Sequence, residues 1–124
     1  AGGEIPLFVA VHSFTPQLSG GEARPWHIGL LWEHDERLVA PLQAAFSALV
    51  PGICIGDNEP YAIVGPSDYS IPEHGQKRGL PHIEIEIRQD LIARPEGAEL
   101  WAERLAEALE TVLTYHGPFE ILAR

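Results

Sequence analysis

Hydrophobic and polar positions along the chain fall into a short series of elements. Ile5 to Val11 (Ile-Pro-Leu-Phe-Val-Ala-Val) is almost wholly apolar, which predicts a strand buried on both faces. Pro25 to Trp32 reads as a second short strand, with Trp26 and Trp32 as packing anchors. Leu38, Leu42, Ala45, Phe46 and Leu49 recur at helical spacing and predict a helix with Asp35 as its N-cap. Pro41 inside that pattern predicts a kink or a later start, and Pro51-Gly52 stops it. Ile53-Cys54-Ile55 reads as a short buried strand carrying a buried thiol. The connection from Ala62 to Arg78 is long for a compact domain, and its Tyr, His and Arg content favours a binding loop.

The next stretch organises the rest. From His82 to Arg88 the chain alternates strictly, so a strand here divides its side chains between two faces. One face carries Ile83, Ile85 and Ile87; the other carries His82, Glu84, Glu86 and Arg88. Alternation alone leaves two readings: an edge strand with a wet polar face, or a strand whose polar face lines a catalytic cleft. Pro95 and Glu96 open a last helix, whose apolar stripe is Trp101, Leu105, Ala108, Leu109, Val112 and Leu113. Glu99, Glu103, Glu107 and Glu110 face water. Phe119, Ile121 and Leu122 could add a final strand.

The chain has 124 residues, enough for one domain with a real core. Asp plus Glu number 18 against 8 Lys plus Arg, a formal net charge of −10. A surface that acidic argues against nucleic acid as a partner, and a bound anion would need locally placed arginines. No apolar run approaches a membrane span, and no leader pattern opens the chain, so a cytoplasmic protein without a membrane partner is expected. Cys54 is the single cysteine, which excludes an internal disulfide. The chain has no methionine and opens Ala-Gly-Gly into a strand-like run, so it is expected to be part of a longer protein.

Phosphate loops, paired zinc cysteines, Gly-x-Ser-x-Gly and His-Glu-x-x-His are all absent. What remains is His12 at the end of one strand, Glu86 on another, and Arg24, His27, Asn58, Tyr61, Arg78 and His82 on flanking loops. These residue types could serve a zinc hydrolase, which needs imidazole on the metal, a carboxylate beside the attacking water and a cation for a substrate carboxylate. For His12, capping of the strand by hydrogen bonding is an equally open reading.

Val11-His12-Ser13-Phe14-Thr15-Pro16, Arg24-Pro25-Trp26-His27-Ile28-Gly29, Gly56-Asp57-Asn58-Glu59-Pro60-Tyr61 and Arg78-Gly79-Leu80-Pro81-His82 through Ile87-Arg88-Gln89-Asp90-Leu91 resemble the N-formylglutamate amidohydrolase family, in the family's order. The resemblance corresponds to the carboxyl-terminal half of such proteins. It implies a zinc exopeptidase-like α/β fold, a mixed, mostly parallel sheet with helices packed on both faces, of which residues 1–124 are the carboxyl-terminal portion. It also implies that His12, followed by Ser13, is a zinc ligand, and that Glu86 within Ile85-Glu86-Ile87-Arg88 is the general base. Periodicity by itself leaves Glu84 and Glu86 equivalent. Arg24 or Arg78 would hold a substrate carboxylate or the oxyanion, and His27, Asn58, Tyr61 and His82 would contact substrate. The family's His-x-x-Glu ligand pair has no counterpart here, so the remaining zinc ligands are expected outside this chain, from the missing amino-terminal half or another copy. The expected activity is hydrolysis of the amide of N-formylglutamate or a related N-acyl amino acid. The alternative is a non-catalytic fragment or small-molecule-binding module without a complete metal site.

Overall fold

The computed structural model describes residues 6–17, 23–59, 79–117 and 119. Among these, four strands form one sheet: β1 (Phe8–Phe14), β2 (Ile28–Leu31), β3 (Ile55–Asp57) and β4 (His82–Arg88), in the order β1-β4-β2-β3. β1 runs parallel to β4 and β2 parallel to β3, while β2 and β4 are antiparallel. Two helices accompany them, α1 (Val39–Leu49) and α2 (Pro95–His116). This is the expected mixed α/β arrangement with a mostly parallel sheet.

β4 is central, not an edge strand. Ile83, Ile85 and Ile87 are buried in one cluster with Ile28 and Leu30 of β2, Leu42 and Phe46 of α1, and Trp101, Ala108 and Val112 of α2. Both described helices therefore pack on the isoleucine face, because their apolar stripes and the β-branched face of β4 bury each other. The opposite face of β4 is also buried, with His82 at 2%, Glu84 at 2% and Glu86 at 4% exposure. On that side Leu31 clusters with Phe8 and Ala10. The wet polar face is thus excluded.

β1 departs from expectation in both place and burial. It begins at Phe8, whose N–H donates to Pro81 O (2.9 Å), and it runs on through His12, Ser13 and Phe14. The strand exists where its partner β4 exists, with Phe8 level with His82 and Phe14 level with Arg88. His12 accordingly sits within the strand, not beyond its end. At the margin of the described sheet, Val11, His12 and Ser13 are exposed, so this strand is not buried on both faces.

α1 starts late. Leu38 occupies the N-cap position, and Pro41 falls in the first turn, where its missing N–H costs nothing. Asp35 does not cap the helix; its carboxylate is taken by Arg37. β3 begins at Ile55, which leaves Cys54 before the strand and half-buried. α2 opens at Pro95 as expected, with Trp101, Ala108 and Val112 buried, although Leu113 of its stripe is 49% exposed. Tyr61, the Ala62–Arg78 connection and most of the carboxyl-terminal tail lie outside the described residues; Phe119 packs against the core. No described helix is long and apolar enough to cross a membrane.

Gly97 permits a close approach. A Cβ at this position in the first turn of α2 would stand 2.1 Å from Leu91 O, in the 3-10 turn Gln89–Leu91 that follows β4. Gly97→Ala must push the helix off that turn, and we expect a loss of about 1–3 kcal/mol, the usual cost of overpacking. Urea unfolding of the two proteins measures it. An unchanged midpoint would show that the turn yields freely.

Candidate functional site

Three chemistry-bearing side chains meet on the polar face of the sheet. Register places His12 of β1 level with Glu86 of β4, and Gly29 of β2 level with Glu86 on the other side. Glu84 lies between Ala10 and Leu31 in the same way. His12 Nδ1 is 3.3 Å from Glu84 Oε2 and 3.8 Å from Glu86 Oε1. The ligand atoms of His12, Glu84 and Glu86 all fall within 4.8 Å of one another, a group able to hold a metal ion. The His12 ring is 52% exposed, whereas the two carboxylates are almost wholly buried. The site is thus a buried acidic pair with an accessible imidazole over it. Imidazole nitrogen and carboxylate oxygen are the donors that zinc accepts, so this set fits the implied metal.

Arg88 continues the same face. Its guanidinium is held by Asp90, with Nε donating to Oδ1 (2.6 Å) and Nη2 to Oδ2 (3.1 Å). Its Nη1 donates to Arg24 O and Trp26 O, both at 3.4 Å. That fork ties residues 24–26 to the end of β4. Arg24 stands over the Phe14 ring, 5.9 Å from its centroid, and donates to Thr15 O (3.3 Å). Phe14 lies two residues beyond His12 on the same face, so Arg24 is placed at the same end of the sheet as the trio.

The remaining expected residues are distributed. His27 Nδ1 accepts the Cys54 N–H (2.9 Å), and the His27 backbone N–H donates to Cys54 O (2.8 Å). The ring therefore ties the entry to β2 to the entry to β3. Asn58 adopts φ 57°, a left-handed conformation that asparagine tolerates. Its Oδ1 accepts the Trp32 N–H (2.7 Å), extending the contact of β3 with β2. His82 is fully buried at the start of β4 and donates from Nδ1 to Leu80 O (2.6 Å). Its Nε2 has no hydrogen-bond partner among the described residues. Tyr61 and Arg78 lie outside the described residues.

Beside His82 is a second charged group, which periodicity gave no hint of. Asp35 Oδ2 stands 3.9 Å from His82 Nδ1 and receives Arg37 Nη2 at 2.7 Å. Arg37 Nη2 also donates to Gly79 O (3.4 Å), bracing the entry to β4. Burial is the largest single influence on the Asp35 carboxyl and pushes its pKa up. The hydrogen bonds from the Arg37 side chain and backbone, with the charges of Arg37 and His82, together outweigh burial and hold the pKa below the ordinary 3.8. A carboxyl whose folded pKa is depressed stabilises fully above its unfolded value and loses that contribution as pH falls through the folded one. We therefore expect Tm to be level down to pH ~4 and to drop below it, and Asp35→Asn to lower the plateau and flatten the acid limb. Thermal melts across acid pH check this; a parallel acid limb in the variant would contradict it.

The N-formylglutamate amidohydrolase family model matches residues 1–93. No curated protein sequence matches the chain at a significant level. Among solved structures, the crystal structure of gene product Atu2144 from Agrobacterium tumefaciens is 33% identical with a TM-score of 0.63. The match covers 84% of this chain and 42% of that one, so the chain spans less than half the length of its structural relative.

Proposed function

This chain belongs to the N-formylglutamate amidohydrolase family, and on that footing we propose that it carries part of the active site of a zinc-dependent amidohydrolase acting on N-formylglutamate or a related N-acyl amino acid. The observation that carries the proposal is the register of His12 against Glu86, which sets an accessible imidazole beside a buried carboxylate. His12 would hold the zinc, and the bound metal would supply Lewis-acid polarisation of the amide carbonyl and a lowered pKa for water. Glu86 takes the proton of the attacking water as its oxygen bonds to the carbonyl carbon. It then delivers that proton to the amide nitrogen as the C–N bond breaks, so formate and glutamate leave. Arg24 at the same end of the sheet, with Arg78, would neutralise the oxyanion or grip the substrate carboxylate. His27, Asn58, Tyr61 and His82 would orient the substrate.

The match to less than half of the Atu2144 chain supports residues 1–124 being one α/β portion of a larger amidohydrolase domain. The remaining zinc ligands would then come from its amino-terminal half or from another copy. The same observation favours a second reading, a small-molecule-binding portion without its own complete centre. Both are tested by incubating the protein with zinc and a panel of N-formyl, N-acetyl and N-succinyl amino acids and following the free amine. Release from N-formylglutamate above all others supports the hydrolase. Binding without release from any member of the panel supports the second reading.

A further inference from the structure

We propose that the outer edge of β1 is a self-association surface, pairing with the same edge of a second copy of this chain, antiparallel about a two-fold axis at Val11. In a parallel ladder a residue turns both its N–H and its C=O to one neighbouring strand, and the next residue turns both the other way. Phe8 N–H donates to Pro81 O, so Phe8, Ala10, His12 and Phe14 bond to β4. Val9, Val11 and Ser13 therefore direct their backbone groups away from β4. β1 is the end strand of the described sheet, and no described residue is hydrogen-bonded to Val9, Val11 or Ser13 on that side. Exposure agrees: Val11 is 49% exposed, and His12 and Ser13 beside it are exposed as well. The opposite margin, β3, is three residues long, ends in Asp57 and is followed by Asn58 at φ 57°. Short, charged and turned edges resist strand addition, whereas β1 runs for seven residues without Pro, Lys, Asp or Glu.

The occupant follows from the symmetry of the edge itself. With Val11 opposite Val11 of the second copy, Val9 falls opposite Ser13 and Ser13 opposite Val9, so every outward group meets an outward group. Each such pair exchanges both its hydrogen bonds, as the closely spaced pairs of an antiparallel ladder do. Val9 and Val11 lie level with Ile83 and Ile85, on the apolar face. There the half-exposed Val11 side chain meets its copy as a β-branched cross-strand pair. On the polar face His12 falls opposite Ala10 of the second copy, a small side chain beside the exposed ring. Each copy carries a net charge of −10, but β1 contributes no acidic residue to it. The attraction is therefore local and apolar, while the repulsion is spread over the whole surface and screened by salt.

Sedimentation equilibrium of the 124-residue chain tests this without zinc or substrate. At high micromolar concentration the expected species has twice the chain mass of 13.6 kDa, and its dissociation constant falls as NaCl rises from about 0.05 to about 0.5 M. Val11→Lys sets like charges opposite each other at the centre of the pairing and should raise that constant at least about tenfold. Its circular dichroism should keep the wild-type form, because Val11 is already half in water. Val11→Cys on a Cys54→Ser background should close a disulfide between copies under mild oxidation, since opposed Cα atoms about 5.5 Å apart lie within the span that a disulfide bridges. Leu113→Cys on the same background, equally exposed at 49% but on α2, should stay uncrosslinked. A monomer at every salt concentration overturns the proposal and leaves the edge to a strand from outside this chain. So does a dimer that Val11→Lys leaves intact, one that loosens as salt rises, or one that cross-links as readily in the Leu113→Cys chain as in the Val11→Cys chain. None of these readouts involves catalysis, so the hydrolase reading stands or falls separately.

Discussion

On the proposed hydrolase reading, Glu86→Gln should lower kcat for release of formate from N-formylglutamate by about 10²–10⁴-fold, the range that a positioned general base supplies. KM stays near its wild-type value, because the lost interaction is made in the transition state and not with bound substrate. The replacement is isosteric, and Glu86 is 4% exposed within a central strand, so the fold has no cavity to absorb and the far-ultraviolet spectrum is unchanged. Glutamine cannot take a proton from water, whatever its position. Steady-state kinetics on the two proteins with saturating zinc are the check, and a variant within threefold of wild type would remove Glu86 from the chemistry.

His12→Ala removes more. The imidazole is the accessible member of the trio, and without it the buried carboxylates lose the nitrogen donor that the site offers to zinc. A bound metal contributes several kcal/mol of transition-state charge stabilisation, so activity should fall by at least about 10³-fold, with zinc content falling alongside. His34→Ala is the matched control: that histidine is 64% exposed, paired with Glu33 at 2.7 Å and outside the His12–Glu84–Glu86 group. It should leave both quantities untouched. Equal losses in the two variants would point to a general effect on the protein instead of a site at His12.

Local pattern carried much of this architecture. The alternation from His82 to Arg88 and the stripe from Trp101 to Val112 depend on residues close in sequence, and both elements are where periodicity puts them. Pairing was not legible in the same way. Whether β4 lies at an edge or at the centre depends on β1 and β2, whose residues are some 55 to 75 positions away, and no local period encodes that. The same gap explains Glu84. Period two makes Glu84 and Glu86 equivalent; the register of β1 sets His12 level with Glu86, and the reach of its ring brings Nδ1 nearer Glu84.

Other differences have local causes that a stronger competitor overrode. Asp35 is a good N-cap residue, but Arg37 two positions on offers a bidentate partner, and the helix begins later at Val39. The apolar run from Ile5 suggested strand throughout, yet strand pairing is set by the partner, and β4 begins only at His82. The grouping of Asp35 with His82 joins a loop to a strand some 47 positions on. A buried acid in a segment read as helix entry gives no sign of such a neighbour.

The most direct measurement is zinc content with formate release, taken on one preparation as purified, after chelation, and after zinc is restored. Stoichiometric zinc, loss of formate release with the metal, and recovery on its return are expected, with none of the three seen in His12→Ala. Undiminished release after chelation, or zinc bound as tightly by His12→Ala as by wild type, would contradict it.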